Sequence, residues 1–353
     1  MRGTMASTIV GLDFGRGVIR AAEVQGASSA RPTLVRYHQI AVPTTAVDRG
    51  EVLDRDTVAS ALKQLWTQGG FKTRKVIVGV GNARVLVREL SVPAAPLNRI
   101  RESLPFQVQD ILPVPVNEAL LDFYPVAHGL EEGAPVIQGL LVAAVKESVL
   151  ATVEAVEAAR LEPVDVDLIP FALSRALLVG PTAAGSVALV HIGAATTMVT
   201  IAVDGIPHFV RIIQNGSDDI NRALVSRLGM DDMQAEQIKR RFGLATQGAG
   251  PELRPAFEVI YETTGDLVVA IRNTLSFYLS SRPGAVVERV LLSGGGAELN
   301  GFPTALADAT RLPVRAPSPI ERLAIARSVD QGQVAAGAAG IPVAAGLTLG
   351  SKA

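Results

Sequence analysis

A chain of 353 residues, 48% of them hydrophobic and 19% charged, is long enough for two folded lobes and too apolar for a disordered protein. A net charge of −1 gives no electrostatic basis for binding nucleic acid or an anionic membrane surface. The lack of cysteine excludes disulfides, thiolate zinc sites and a thiol nucleophile, and four scattered histidines argue against a histidine metal site.

Residues 1–7 carry one arginine and no apolar core, so no secretion signal is expected there. Ile9, Val10 and Leu12 then suit a buried strand, Gly15-Arg16-Gly17 a tight turn, and Val18, Ile19 and Arg20 a returning strand. Asp13 ends the first strand, where a carboxylate can hold a metal or its water. Residues 34–42 read as a third strand. Asp56 is expected to cap a helix with Val58, Ala59, Leu62, Leu65 and Trp66 on one face, ended by Gly69 and Gly70. Residues 76–80 and 85–90 read as further strands of the same lobe.

From residue 91 to about 167, Pro93, Pro96, Pro105, Pro113 and Pro115 change the texture of the chain. Residues 97–110 form a short amphipathic helix in this reading, 120–126 and 135–145 strands, and 146–160 a helix with Val149, Leu150, Val153 and Val156 inward. An insert with its own strands and helix can bury a small core and present a groove to a partner.

Residues 164–168 return to the main lobe, 170–178 read as helical, and 181–185 as a link. Residues 187–203 are apolar, but Gly193 and the β-branched content fit strand–turn–strand better than a membrane helix. A third strand over 208–213 leads to a helix opened by Asn215-Gly216-Ser217-Asp218, with Ile220, Leu224 and Leu228 inward and Gly229 at its end. Helices over 231–242 and 257–279 flank a flexible loop over 245–250. Val290-Leu291-Leu292-Ser293 runs into Gly294-Gly295-Gly296, a helix follows through 305–309, and 333–349 is rich in Ala and Gly, as a tightly packed terminal helix requires.

Two hairpins far apart, then a triple-glycine loop, point to a duplicated fold with a ligand between its halves. In this the chain resembles the actin-like ATPase superfamily. More narrowly it resembles the PilM family of type IV pilus assembly, relatives of the division protein FtsA. The narrower likeness lies in Leu104-Pro105-Phe106-Gln107-Val108-Gln109-Asp110-Ile111-Leu112-Pro113-Val114-Pro115, in Leu121-Asp122-Phe123, in Val142-Ala143-Ala144-Val145-Lys146-Glu147 and in Ala344-Ala345-Gly346-Leu347. The resemblance implies an α/β, actin-like (duplicated RNase H-like) two-lobed fold with an inserted α/β subdomain. Residues 6–90 begin the first lobe, 91–167 are the partner-binding insert, 168–184 return to the first lobe, 185–332 are the second lobe, and 333–353 pack back on the first. It further implies a cytoplasmic scaffold at the inner face of the cytoplasmic membrane. Such a scaffold binds ATP between its lobes and grips the cytoplasmic tail of a PilN-like single-pass membrane protein, with other pilus assembly components as further partners. Membrane association then comes only through the partner, and nucleic acid is not expected.

The residues assign themselves to a nucleotide as follows. Phosphate oxygens need backbone N–H groups in turns without bulky side chains, which Gly15, Arg16 and Gly17, and Gly193, Ala194 and Thr196, supply. Thr196 and Thr197 add hydroxyls. Mg²⁺ wants carboxylate oxygens, and Asp13 is the candidate. Gly294, Gly295 and Gly296 let backbone approach adenine or sugar. Gly216 can offer an N–H to phosphate, although Asp218 and Asp219 argue for helix capping instead. Glu236 and Lys239 lie three apart on one helix face; in the wider superfamily such a pair meets ribose and adenine, and the alternative is a solvated salt bridge. For the partner tail the candidates are Phe106, Gln109, Ile111 and Pro113, with core packing the alternative for Phe106 and Ile111.

Two positions depart from the superfamily pattern. His191 stands where an Asp is usual, and an imidazole is a poor ligand for Mg²⁺, so ATP hydrolysis is expected to be weak or absent. Arg16 replaces a small hydroxyl residue and can pair with phosphate, or with a surface carboxylate. The alternative readings are a polymerising FtsA-like ATPase and a small-molecule kinase of the same superfold. No Ser/His/Asp triad, zinc box or P-loop occurs in the sequence.

Overall fold

The computed structural model describes residues 8–245, 247 and 250–350. The reading of residues 1–7, part of the 245–250 loop and the last three positions of the terminal segment lie outside the described residues.

Strands β1 (Thr8–Gly15), β2 (Val18–Gln25) and β3 (Thr33–Ala41) make an antiparallel meander. Val10, Leu12 and Phe14 face one core and Ile9 another, the two-residue period of a strand covered on both faces. A short ribbon, β4 (Val47–Asp48) and β5 (Glu51–Val52), precedes helix α1 (Arg55–Gly69). Asp54, not Asp56, caps this helix: its carboxylate accepts the N–H groups of Asp56 and Thr57, each at 3.1 Å. Two aspartates two residues apart leave the cap ambiguous in sequence; the extended backbone at Asp54 decides it. Strand β6 (Lys75–Val80) then lies parallel to β1.

Strand β7 (Val85–Pro93), helix α2 (Leu97–Gln107) and strands β8 (Ala119–Glu131) and β9 (Ala134–Val145) form a separate unit. Its three-stranded sheet has the order β7-β9-β8, and Ile100, Leu104, Phe123 and Leu141 fill its core. The insert sheet thus begins at Val85 rather than at residue 91. It ends at Val145 rather than 167, because helix α3 (Lys146–Ala158) packs Ala155 and Val156 into the core beside α1. Strand β10 (Glu162–Leu168) pairs with β6 in the first sheet. Periodicity reports that a segment is a strand, not which sheet it joins. Leu150, expected inward on α3, is 40% exposed.

Helix α4 (Ile169–Leu177) leads to a second meander, β11 (Ser186–Ile192), β12 (Thr197–Val203) and β13 (Ile206–Ile213). Helices α5 (Asp218–Leu228), α6 (Asp232–Phe242) and α7 (Arg254–Ser281) cover it, with Ile220 and Leu224 buried and Leu228 at the surface. Strand β14 (Arg289–Ser293) lies parallel to β11, and helix α8 (Phe302–Thr310) and strand β15 (Val314–Arg315) complete the lobe.

The two sheets, ordered β10-β6-β1-β2-β3 with the short strand β16 (Ala324–Ile325) beside β3, and β13-β12-β11-β14-β15, repeat one plan. In each, an antiparallel meander has a parallel strand beside its first member. Strand β16 (Ala324–Ile325) belongs to the edge of the first sheet, so the chain leaves the second lobe before residue 332. The terminal segment is two helices, α9 (Gln331–Ala336) and α10 (Ile341–Thr348), with a turn at residues 337–340 where one continuous helix is expected from the sequence. Small residues set its depth: a Cβ at Gly346 would stand 2.2 Å from Ala172 O on α4. That close approach buries Leu347, Val343 and Leu173 in the core between the sheets.

Candidate functional site

The first hairpin turns at Arg16 and Gly17, and Gly17 holds the left-handed φ of 70°. Asp13 and Arg20 are register partners across it. Arg20 Nη1 donates to Asp13 Oδ2 at 2.9 Å, and the carboxylate is only 6% exposed. Tyr37 lies near this pair. Burial, with the Asp13 charge behind it, pushes its phenol up to about 12 against the opposing pull of Arg20. Arg16 Nε contacts Asp48 at 3.3 Å, and its Nη1 is ion-paired with Asp218 at the start of α5. The first hairpin is thereby tied to the second lobe.

The second hairpin turn is fastened to α5. Gly193 O and Ala194 O accept Ser217 N and Asp218 N at 3.0 and 2.9 Å. Gly193 N–H is donated to Thr196 O at 2.9 Å. Among the described residues the N–H groups of Ala194, Ala195 and Thr196 make no such backbone bond. The Thr197 hydroxyl donates to Asn215 O at 2.8 Å and is not a donor to the cleft. Gly216 N–H is donated to Asp219 at 2.7 Å, so the capping alternative holds for that glycine.

His191 is buried and its Nδ1 hydrogen-bonds with Ser293 Oγ at 3.1 Å. Burial, then the charge of Arg20, push the imidazole down to about 4, so it is neutral at pH 7. Glu236 Oε2 accepts Lys239 Nζ and Asn221 Nδ2, both at 2.6 Å, and Oε1 accepts Arg240. Burial raises the Glu236 carboxyl, but these hydrogen bonds outweigh it and hold the group down at about 2. Lys239 is buried while Glu236 is partly exposed, so the pair is half-sunk in the cleft wall rather than fully solvated.

These groups line one cleft of about 880 Å³ between the lobes. Asp13, Gly15, Arg16, Gly193, Ala194, Thr196, Glu236, Lys239, Gly295 and Gly296 all border it. Gly17 and Gly216 do not border it. Nor does Gly294, whose φ of 90° and close approach to Ile192 O admit no side chain. A Cβ at Gly295 meets nothing within 4 Å, so this residue faces open space. Arg20 is the residue that sequence reasoning missed. Counting back from a two-residue turn pairs it with Asp13, so the signal was present. Among the described residues no group of three or more His, Asp or Glu could hold a metal ion.

A second concavity of about 870 Å³ lies between the insert and the second lobe. β7 and β13 run along it, and each is the outer strand of its sheet. Val85, Val87, Leu140, Phe209 and Phe277 give it an apolar lining. Arg282, at the end of α7, reaches Glu89 on β7 at 2.8 Å and ties the two walls together. Of the expected partner residues only Pro113 lines this groove. Ile111 packs on the insert's own core, while Phe106, 80% exposed, and Gln109 sit at the surface away from the groove lining. Among the described residues no helix is long and apolar enough to cross a membrane.

A family model described as type IV pilus assembly protein PilM matches residues 11–352. The cell division protein FtsA of Bacillus subtilis (strain 168) is 23% identical over 319 residues, which cover 79% of this chain and 72% of that protein. A chain of the PilM–PilN type IV pilus biogenesis complex matches with a TM-score of 0.82 at 25% identity, 97% of each chain being covered. MreB5 of Spiroplasma citri, bound to AMPPNP, matches with a TM-score of 0.51 at 11% identity over 95% of this chain and 94% of its own.

Proposed function

The chain belongs to the PilM family of type IV pilus assembly proteins, and on that premise we propose that it is a cytoplasmic nucleotide-binding scaffold that grips the tail of a PilN-like membrane protein. The observation that carries the nucleotide half is the single cleft into which two hairpin turns, the Gly295-Gly296 backbone and the Glu236–Lys239 pair converge. Its volume suits a nucleoside triphosphate. Arg16, Ala194 and Thr196 would offer backbone N–H groups to phosphates, and the space before Gly295 would take the base or sugar. Glu236 and Lys239, held rigidly by Asn221 and Arg240, would face the sugar. MreB5, which shares the fold, was solved with AMPPNP.

His191 offers no carboxylate to order a water, and burial keeps its imidazole uncharged. The reading is therefore nucleotide held with little turnover. Mg²⁺ does not fit the residues present: Asp13 is engaged by Arg20, Asp218 by Arg16 and Glu236 by Lys239, and no group of three or more His, Asp or Glu among the described residues could hold a metal ion.

The tail would lie in the groove between β7 and β13. Both strands present a sheet edge, so an extended segment can add main-chain hydrogen bonds to either while its apolar side chains enter the lining. The PilM–PilN complex among the similar structures supports a partner of this kind. The chain would then sit at the inner face of the cytoplasmic membrane through its partner alone.

Calorimetric titration with ATP, on the native chain and on Gly295→Trp, tests the cleft. A Cβ there meets nothing within 4 Å and opens onto the cleft, so loss of binding with an unchanged melting temperature is expected. Equal ATP affinity in both proteins would refute the assignment.

A further inference from the structure

The cleft contains guanidinium groups where a divalent cation would need oxygen ligands. Mg²⁺ demands near-octahedral oxygen coordination and dehydrates reluctantly. The carboxylate of the first hairpin, Asp13, already accepts Arg20 Nη1 at 2.9 Å. This pairing is built into the fold, because the two residues are opposite one another in the β1–β2 register. The stem of Arg20 is also clamped: a Cβ at Gly340 would come within 2.3 Å of Arg20 Cδ, so the turn between α9 and α10 lies directly on it. Asp218, the next carboxylate along the cleft, is engaged by Arg16. In the second hairpin the corresponding side chain is an imidazole whose Nδ1 is taken by Ser293. A neutral imidazole is a poor partner for a hard cation.

We propose that Arg20 directs guanidinium N–H groups at bound phosphate, and that nucleotide binding by this cleft is independent of divalent cations. A planar guanidinium can keep one N–H on Asp13 and direct others at a phosphate oxygen, which a bare ammonium or a fully ligated metal does less well. Asp13 then acts as the positioning residue for Arg20 rather than as a metal ligand. This inference rests on the nucleotide reading above.

The test is calorimetric titration of the full chain with ATP in EDTA and again in excess MgCl₂. The expected result is affinities that differ by less than about tenfold, with Arg20→Gln weakening binding by about tenfold or more in both conditions. His191→Asp, which adds a carboxylate facing the first hairpin, is expected to make binding respond to Mg²⁺. Native binding that Mg²⁺ tightens by more than about tenfold would overturn the inference while leaving the nucleotide reading intact. No binding in either condition would overturn the nucleotide reading itself and this inference with it. A melting curve of Arg20→Gln separates lost contacts from lost folding, and the comparison on the native chain needs no variant at all.

Discussion

Arg16 Nη1 is ion-paired with Asp218 Oδ2, joining the turn of the first hairpin to the start of α5 across the cleft. Asp218 is 6% exposed, and that oxygen makes no aligned hydrogen bond, so the guanidinium is what offsets its burial. Removing the cation leaves a buried carboxylate with only the long hydrogen bond from Asn221 Nδ2 to its other oxygen. Arg16→Ala is expected to lower stability by about 1–3 kcal/mol in urea unfolding. Adding Asp218→Asn should recover part of that loss, because the orphaned charge is gone. Additive losses in the double variant would mean that the pair does not couple the lobes.

The imidazole of His191 sets a pH window. Its folded value is pushed down to about 4 from the ordinary 6.5, mainly by burial. Above that ordinary value neither folded nor unfolded chain carries the proton. As pH falls through the window the unfolded chain takes up a proton that the folded chain does not, so folding loses stability. His191→Gln should therefore show a flatter stability profile than the native chain between pH 6.5 and about 4. Parallel profiles from urea titrations across that range would contradict the buried, neutral assignment.

The groove and the surface near α2 make different predictions for partner binding. Phe277 lines the groove from α7 and is 52% exposed, so its replacement should leave the fold intact. Phe277→Asp is expected to weaken binding of a labelled PilN-like tail by about tenfold or more in fluorescence anisotropy. Phe106→Ala should leave it unchanged, because Phe106 lies outside the groove. The reverse pattern would move the tail to the face of α2.

The terminal helix α10 fills the core between the two sheets. Leu347 is fully buried there, against β1 and α4. Leu347→Ala should cost about 2–5 kcal/mol, the range for a cavity that its surroundings cannot close. A loss under about 1 kcal/mol would mean that α10 is peripheral to folding.

The hairpins were legible because glycine turns and two-residue periodicity are local signals, and both meanders formed where the apolar alternation put them. Even the Asp13–Arg20 pair follows from counting across the turn. Sheet membership was not legible. Val85 to Leu90 reads as a strand wherever it goes, and only its pairing with β9 assigns it to the insert. Thr197 reads as a phosphate donor by residue type, but the fold uses its hydroxyl on Asn215; Gly216 takes the capping alternative, its N–H going to Asp219. The groove is the least legible feature, because β7, β13 and α7 meet there from distant parts of the chain. Phe106 enters the sequence reading through the 104–115 stretch that carries the family resemblance, while Phe209 and Phe277, which do line the groove, look like ordinary core residues of a strand and a helix.

Hydrogen–deuterium exchange on the full chain, with ATP and separately with a PilN-like tail peptide, tests the two-site scaffold most directly. ATP is expected to protect both hairpin turns and the loop at Gly295, and the peptide to protect β7 and β13, giving two separate footprints. ATP protection that misses both hairpin turns, or a tail footprint centred on α2, would contradict it.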